Sequence, residues 1–232
     1  MPATIFTGLP GQGKTLKLAE TLLEVLKRNK KWYKITKLKR KIYHNFDLNE
    51  KILKENPGYF VKWRSLVDLH SVRESDVFYD EIGLYYDSQQ WEKVSFKSKR
   101  WLALHEHYGN ELYGTAQSYG QVAIQFRRIT TKLLLLRKII GSRRPSKTKP
   151  PVKFAWGLCY CSILDPQTYD EKEQTKQATF SFDFLFIKKS NTGIYNTLAD
   201  EIKPDTEPFE HEQRECKDPE HPNCGFKKVY HF

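Results

Sequence analysis

The 232-residue chain carries 39 Lys and Arg against 28 Asp and Glu, a formal net charge of +11, with 39% hydrophobic and 14% aromatic residues. That length and aromatic content allow one substantial core and exclude a chain disordered throughout. The basic balance points to a polyanionic partner, nucleic acid or an acidic membrane surface, and competes with the plainer reading of a Lys-rich solubilising surface.

The longest apolar runs, near Leu133–Leu136 and Phe154–Leu164, fall far short of the ~20 residues a spanning helix needs. No secretory leader is visible, so the four cysteines are expected to be reduced thiols of a cytosolic protein.

In chain order, Ala3 to Thr7 reads as a short buried strand. It runs into Gly8-Leu9-Pro10-Gly11-Gln12-Gly13-Lys14-Thr15, which fits G-x-x-x-x-G-K-[ST] at every fixed position. The glycines let the backbone wrap a phosphate and aim N–H groups at it. Lys14 would reach the β- and γ-phosphates of ATP, and Thr15 would offer its hydroxyl to Mg²⁺. The loop sits in its required context, after a strand and opening a helix; a chance Gly-rich turn is the alternative. Thr15 to Arg28 is predicted helical, with Ala19, Leu22, Leu23 and Leu26 on one stripe. A basic stretch from Lys27 to Lys41 follows, containing Trp32 and Tyr33.

Ile42–Phe46 and Gly58–Lys62 are expected strands. Ser75-Asp76-Val77-Phe78-Tyr79-Asp80-Glu81 is an apolar strand ending in acid. Asp80 would approach the Mg²⁺, and Glu81 a water able to attack the γ-phosphate. Strands often end in acids, but the position downstream of the loop favours the functional reading. Ser98–Tyr108 is an expected helix, Glu111–Ala116 a strand and Tyr119–Phe126 a short helix. Gln117 closes Thr115-Ala116-Gln117, where an amide could sense the γ-phosphate or simply make a turn. Arg127 and Arg128 could supply an arginine finger to a neighbouring subunit, which would imply a ring, or could decorate a basic surface.

Alternating strands and helices over 1–140 predict an α/β P-loop NTPase core, with a RecA-like, mostly parallel sheet flanked by helices. Residues 141–200 read as a basic linker and a small antiparallel β extension, from strands Val152–Leu164 and Thr179–Lys188. Cys159 and Cys161 share one face there and read as core. Residues 201–232 read as a polar C-terminal tail. Within it His211, Cys216, His221 and Cys224 are zinc-compatible ligands, although their spacing is not that of a well-known finger.

These motifs together resemble the Zot-like family, the filamentous-phage assembly ATPases and zonula occludens toxin proteins of the HerA–FtsK motor group. The resemblance covers residues 1 to about 200. It rests on Thr7 to Thr15, His44-Asn45-Phe46-Asp47-Leu48, Asp80-Glu81-Ile82-Gly83, His105-Glu106-His107-Tyr108-Gly109, Glu111 to Gln117, Arg127-Arg128 and Gly193-Ile194-Tyr195-Asn196-Thr197. It implies a motor that hydrolyses ATP to move, package or extrude DNA, single-stranded in this family, during virion assembly. It also implies capsid or membrane assembly partners. Family members usually continue into a membrane-spanning helix, which this chain does not show. The expected location is therefore the host cytoplasm, with recruitment to the inner membrane or virion through a partner. Two rivals are a nucleotide or nucleoside kinase and a non-enzymatic nucleic-acid-binding assembly module. The kinase shares the loop, but the Asp80-Glu81 pair argues against it; intact Lys14, Thr15, Asp80 and Glu81 argue against the module.

Overall fold

Alternation along the strands decides which residues face which layer. In β1 (Ala3–Thr7) every residue is buried, as expected of a central strand covered on both faces. Ile5 turns to one core and Phe6 to the other; Val77 and Phe78, Leu112 and Tyr113, Leu133 and Leu134 divide in the same way. The computed structural model describes residues 3–140, 157–169, 179–187 and 194.

Eight described strands form one sheet. The strands are β1, β2 (Ile42–His44), β3 (Phe60–Lys62), β4 (Asp76–Tyr79), β5 (Glu111–Ala116), β6 (Thr130–Ile140), β7 (Gly157–Leu164) and β8 (Thr179–Ile187), in spatial order β3-β2-β4-β5-β1-β6-β7-β8. From β3 to β6 all neighbours are parallel, and β7 and β8 add antiparallel. The expected antiparallel pair is thus hydrogen-bonded onto the same sheet through β6.

One face is covered by α1 (Lys14–Thr36), whose Leu18, Leu22, Val25 and Leu26 pack on Phe6, Phe78, Tyr113 and Leu134. The other face holds Trp63, Tyr86, Trp101 and Phe126, carried by the connections that include α3 (Phe96–Ala103) and α4 (Ile124–Ile129). A short α2 (Glu50–Glu55), capped by Asn49, adds no buried residue.

The sequence pattern ended α1 eight residues early, at Arg28. Lys, Trp and Tyr continue a helix at a cost of at most about 0.7 kcal/mol each, and no Gly or Pro intervenes. The stop is Lys37, in left-handed backbone at φ 60.

The N-terminal strand ends are fastened by a buried ionic cluster. Asp76 accepts from Arg28 at 2.8 Å, Arg40 Nε at 3.0 Å and Asn29 at 2.7 Å. Arg28 also reaches Glu111 at 2.8 Å.

Candidate nucleotide site

The register brings the candidate residues to one edge. Since Thr7 pairs with Ala116 and β5 lies between β1 and β4, the phosphate loop, Asp80 and Thr115 all emerge from neighbouring C-terminal strand ends. Open parallel sheets bind ligands at that edge.

Within the loop, Gly8 has φ +148, and a Cβ there would lie 2.6 Å from the carbonyl oxygen of Leu136. No other residue fits. Gly11 and Gly13 have φ 76 and 88, which L side chains seldom adopt. Gln12 accepts from the Lys138 amide, so the loop is also tied to β6. Gly13 caps α1 with no side-chain bond and no acid in the first turn, leaving the first N–H groups to an anion.

Lys14 Nζ donates to the Gly8 carbonyl at 2.8 Å and the Leu9 carbonyl at 3.3 Å. Burial lowers its pKa, while the nearby Glu81 and Asp80 charges act to raise it. Thr15 Oγ1 donates to the Asp80 carboxylate at 3.2 Å. Thr115 Oγ1 donates to the same carboxylate at 2.7 Å and accepts from the Glu81 amide at 2.8 Å. A hydroxyl and a carboxylate side by side are hard oxygen donors, the set Mg²⁺ takes. Thr15 and Asp80 fit that ion and would hold it.

Glu81 occupies left-handed backbone, φ 57 and ψ 69, a conformation that costs energy for a non-glycine residue and clusters at functional sites. Burial, then the Asp80 charge, raise its pKa, opposed by Lys14 and by a side-chain hydrogen bond with Gln117. Exposed Gln117 therefore touches the candidate base.

Sequence reasoning omitted two residues from the site. Asn45 accepts from the Asp80 amide at 2.7 Å and donates to the Asp80 carbonyl at 2.9 Å. It clamps the turn that presents the acid pair. Thr115 bridges Asp80 to Glu81. Each is a polar residue at or just past a strand end, a signal the sequence carries, although the partner it serves is set only by strand pairing.

Arg127 and Arg128 lie elsewhere on the chain. They close α4 just before Thr130, which aligns with Ala3 at the edge opposite the loop. Arg127 sets its guanidinium 5.8 Å from the Tyr119 ring, and Arg128 is exposed. Arg40, within the basic Lys27–Lys41 stretch, is committed inside to Asp76 and to the Ser75 and Gly109 carbonyls and is not offered to an anionic partner. His211, Cys216, His221 and Cys224 lie outside the described residues, as do residues 141–156. Among the described residues no group of three or more His, Cys, Asp or Glu is suited to a metal, and no helix is long and apolar enough to cross a membrane.

No protein-family model matches the chain, and no curated protein matches it in sequence. Solved structures do match. The chain is similar to the N-terminal domain of zonular occludens toxin from Neisseria meningitidis, at 16% identity and TM-score 0.54, over 84% of this chain and 98% of that one. The chain has the fold of that domain. A looser likeness, at 13% identity and TM-score 0.47, is to the genome packaging NTPase B204 of Sulfolobus turreted icosahedral virus 2 in complex with AMP, over 81% of this chain and 96% of that one. On the toxin-domain fold, the phosphate loop stands at the β1–α1 junction and the acid pair two strands away, after β4.

Proposed function

We propose that the chain is an ATP-hydrolysing motor of virion assembly that moves, packages or extrudes DNA. The observation that carries the hydrolytic part is the closed constellation of Thr15, Asp80, Thr115, Glu81 and Gln117 beside a complete phosphate loop.

In this reading the loop amides from Gly8 to Thr15 cradle the phosphates. Lys14 exchanges its bonds to Gly8 and Leu9 for phosphate oxygens and neutralises charge developing in the transition state. Mg²⁺ on Thr15 and Asp80 would supply positive charge at the β- and γ-phosphates. Glu81, backed by Gln117, orients a water and takes its proton. The Thr115 hydroxyl fixes the Asp80 carboxylate and the Glu81 backbone, and the Asn45 amide fixes the Asp80 backbone, so the turn keeps the two acids in their separate roles. A glutamate placed directly beside the metal ligand favours attack by water over transfer to an acceptor.

The DNA part is supported by the basic surface and by the resemblance of the motifs, with single-stranded DNA as the first substrate to try. A homo-oligomeric ring is the form in which Arg127 or Arg128, remote from their own subunit's loop, would act on a neighbour. Capsid or membrane components would be the further partners.

Phosphate release from ATP, measured with and without single-stranded DNA, tests the proposal. A motor releases phosphate from ATP with water as the only acceptor, and faster with DNA, and Lys14→Ala abolishes both while remaining folded. A kinase requires an added acceptor, and a binding module releases none; either result ends the proposal.

A further inference from the structure

The two ends of α1 differ in kind. Asn29 is its last buried residue. The final two turns, ~10 Å of helix, project beyond the core. They carry Trp32 at 53% and Ile35 at 80% exposure, and just past the Lys37 cap stands Leu38 at 65%. Trp32 and Ile35, three apart, share a face.

The same segment is strongly basic. Between Glu24 and Asp47 there are nine Lys and Arg and no Asp or Glu. Arg28 and Arg40 turn inward to Asp76, and Lys39 lies near the Tyr33 and Tyr59 rings at 5.7 and 5.5 Å. Lys27, Lys30, Lys31, Lys34, Lys37 and Lys41 are exposed. A merely solubilising face has no use for three large apolar side chains, and a buried protein contact does not carry this many uncompensated lysines.

We propose that this end of α1 docks on an anionic phospholipid surface. The lysines meet the headgroup phosphates, and Trp32, Ile35 and Leu38 enter the interfacial layer. Nucleic acid answers the lysines, but Ile35 and Leu38 offer no face for stacking a base. An anionic bilayer answers both halves of the patch. Only the end of the helix meets the surface, and it does not cross, since it is not long and apolar enough. Docking by this end keeps the nucleotide loop, ~33 Å away along the helix axis, clear of the bilayer. The proposal stands independently of the nucleotide chemistry.

The test is co-sedimentation of the full chain with vesicles of phosphatidylcholine, alone or mixed with phosphatidylserine. The full chain should bind the mixed vesicles, release in high salt and ignore the neutral ones. A triple variant, Trp32→Ser with Ile35→Ser and Leu38→Ser, should lose about tenfold or more in partitioning, from the apolar area withheld. Lys30→Gln with Lys31→Gln and Lys34→Gln should lose about fivefold per lysine. Phosphate release and the melting temperature should be unchanged in both, because none of these side chains is buried. Equal binding to both vesicle types, wild-type vesicle binding by the triple variant, or loss of single-stranded DNA affinity in that variant in place of vesicle binding would each overturn the proposal.

Discussion

Glu81 is held in a left-handed turn, half-buried beside Asp80, and its pKa is raised by burial first and by that charge second. A base must be ionised to accept a proton. Hydrolysis should therefore fall on acidification at a pH above the ordinary glutamate range, and a pH profile of kcat/KM, which follows the free enzyme's groups, reads this directly. Gly8→Ala is a sterner residue-scale change. Its Cβ meets backbone, the Leu136 carbonyl oxygen, and not a side chain that can swing away. The variant should lose nucleotide binding in a titration with a fluorescent ATP analogue, with a lowered melting temperature. Wild-type affinity would contradict the loop geometry. His44, buried and bonded to the Phe46 carbonyl at 2.7 Å, has its pKa pushed down to about 4, chiefly by burial. The folded state resists the proton that the unfolded chain accepts near the ordinary value of 6.5. This contribution is complete above that pH and is lost as pH falls towards 4, by about 3 kcal/mol at most. Denaturant melts across that window should show the loss, and His44→Gln should flatten it. At this scale the loop, Asp80 and Glu81 were legible because phosphate chemistry restricts residue types. Asn45 was not assigned a role, because its task is a contact across 35 positions that only strand pairing creates.

At the scale of elements, the sequence showed α1's apolar stripe but not its length, since a helix runs past its core when nothing stops it. It showed Leu133–Leu136 as an apolar run without revealing β6. A fully buried strand lacks the alternation of a half-exposed one, and four leucines suit a helix as well. That strand matters, since it supplies the Leu136 carbonyl against Gly8 and the Lys138 amide to Gln12. The ionic cluster on Asp76 joins α1, the Arg40 segment, β4 and β5. Removing its acid leaves Arg40 buried without its main partner. Asp76→Ala should therefore cost about 3–5 kcal/mol in denaturant unfolding. An effect below about 1 kcal/mol would mean that water replaces the carboxylate easily.

For the whole molecule, the sheet order puts β5 between the strands that carry the loop and the acid pair, so Thr115 and Gln117 can reach Asp80 and Glu81. Parallel strands bring all of these to one edge, while Arg127 and Arg128 precede β6 at the other. Any service of these arginines to hydrolysis is then between subunits. Arg127→Ala or Arg128→Ala should bind ATP and hydrolyse it poorly, by ~10³–10⁵ if a finger is lost. Mixing the impaired variant with Lys14→Ala should restore part of the activity, and undiminished turnover in the double arginine variant ends that role. The central claim is hydrolysis of ATP at the Asp80–Glu81 site. Its most direct test is phosphate release by purified Glu81→Gln beside the wild type, with ATP binding measured on both. Asp80, Thr15 and the loop are untouched in the variant, so binding should persist while release falls by ~10²–10⁴. Equal release by the two proteins, or no release by the wild type, would contradict the claim.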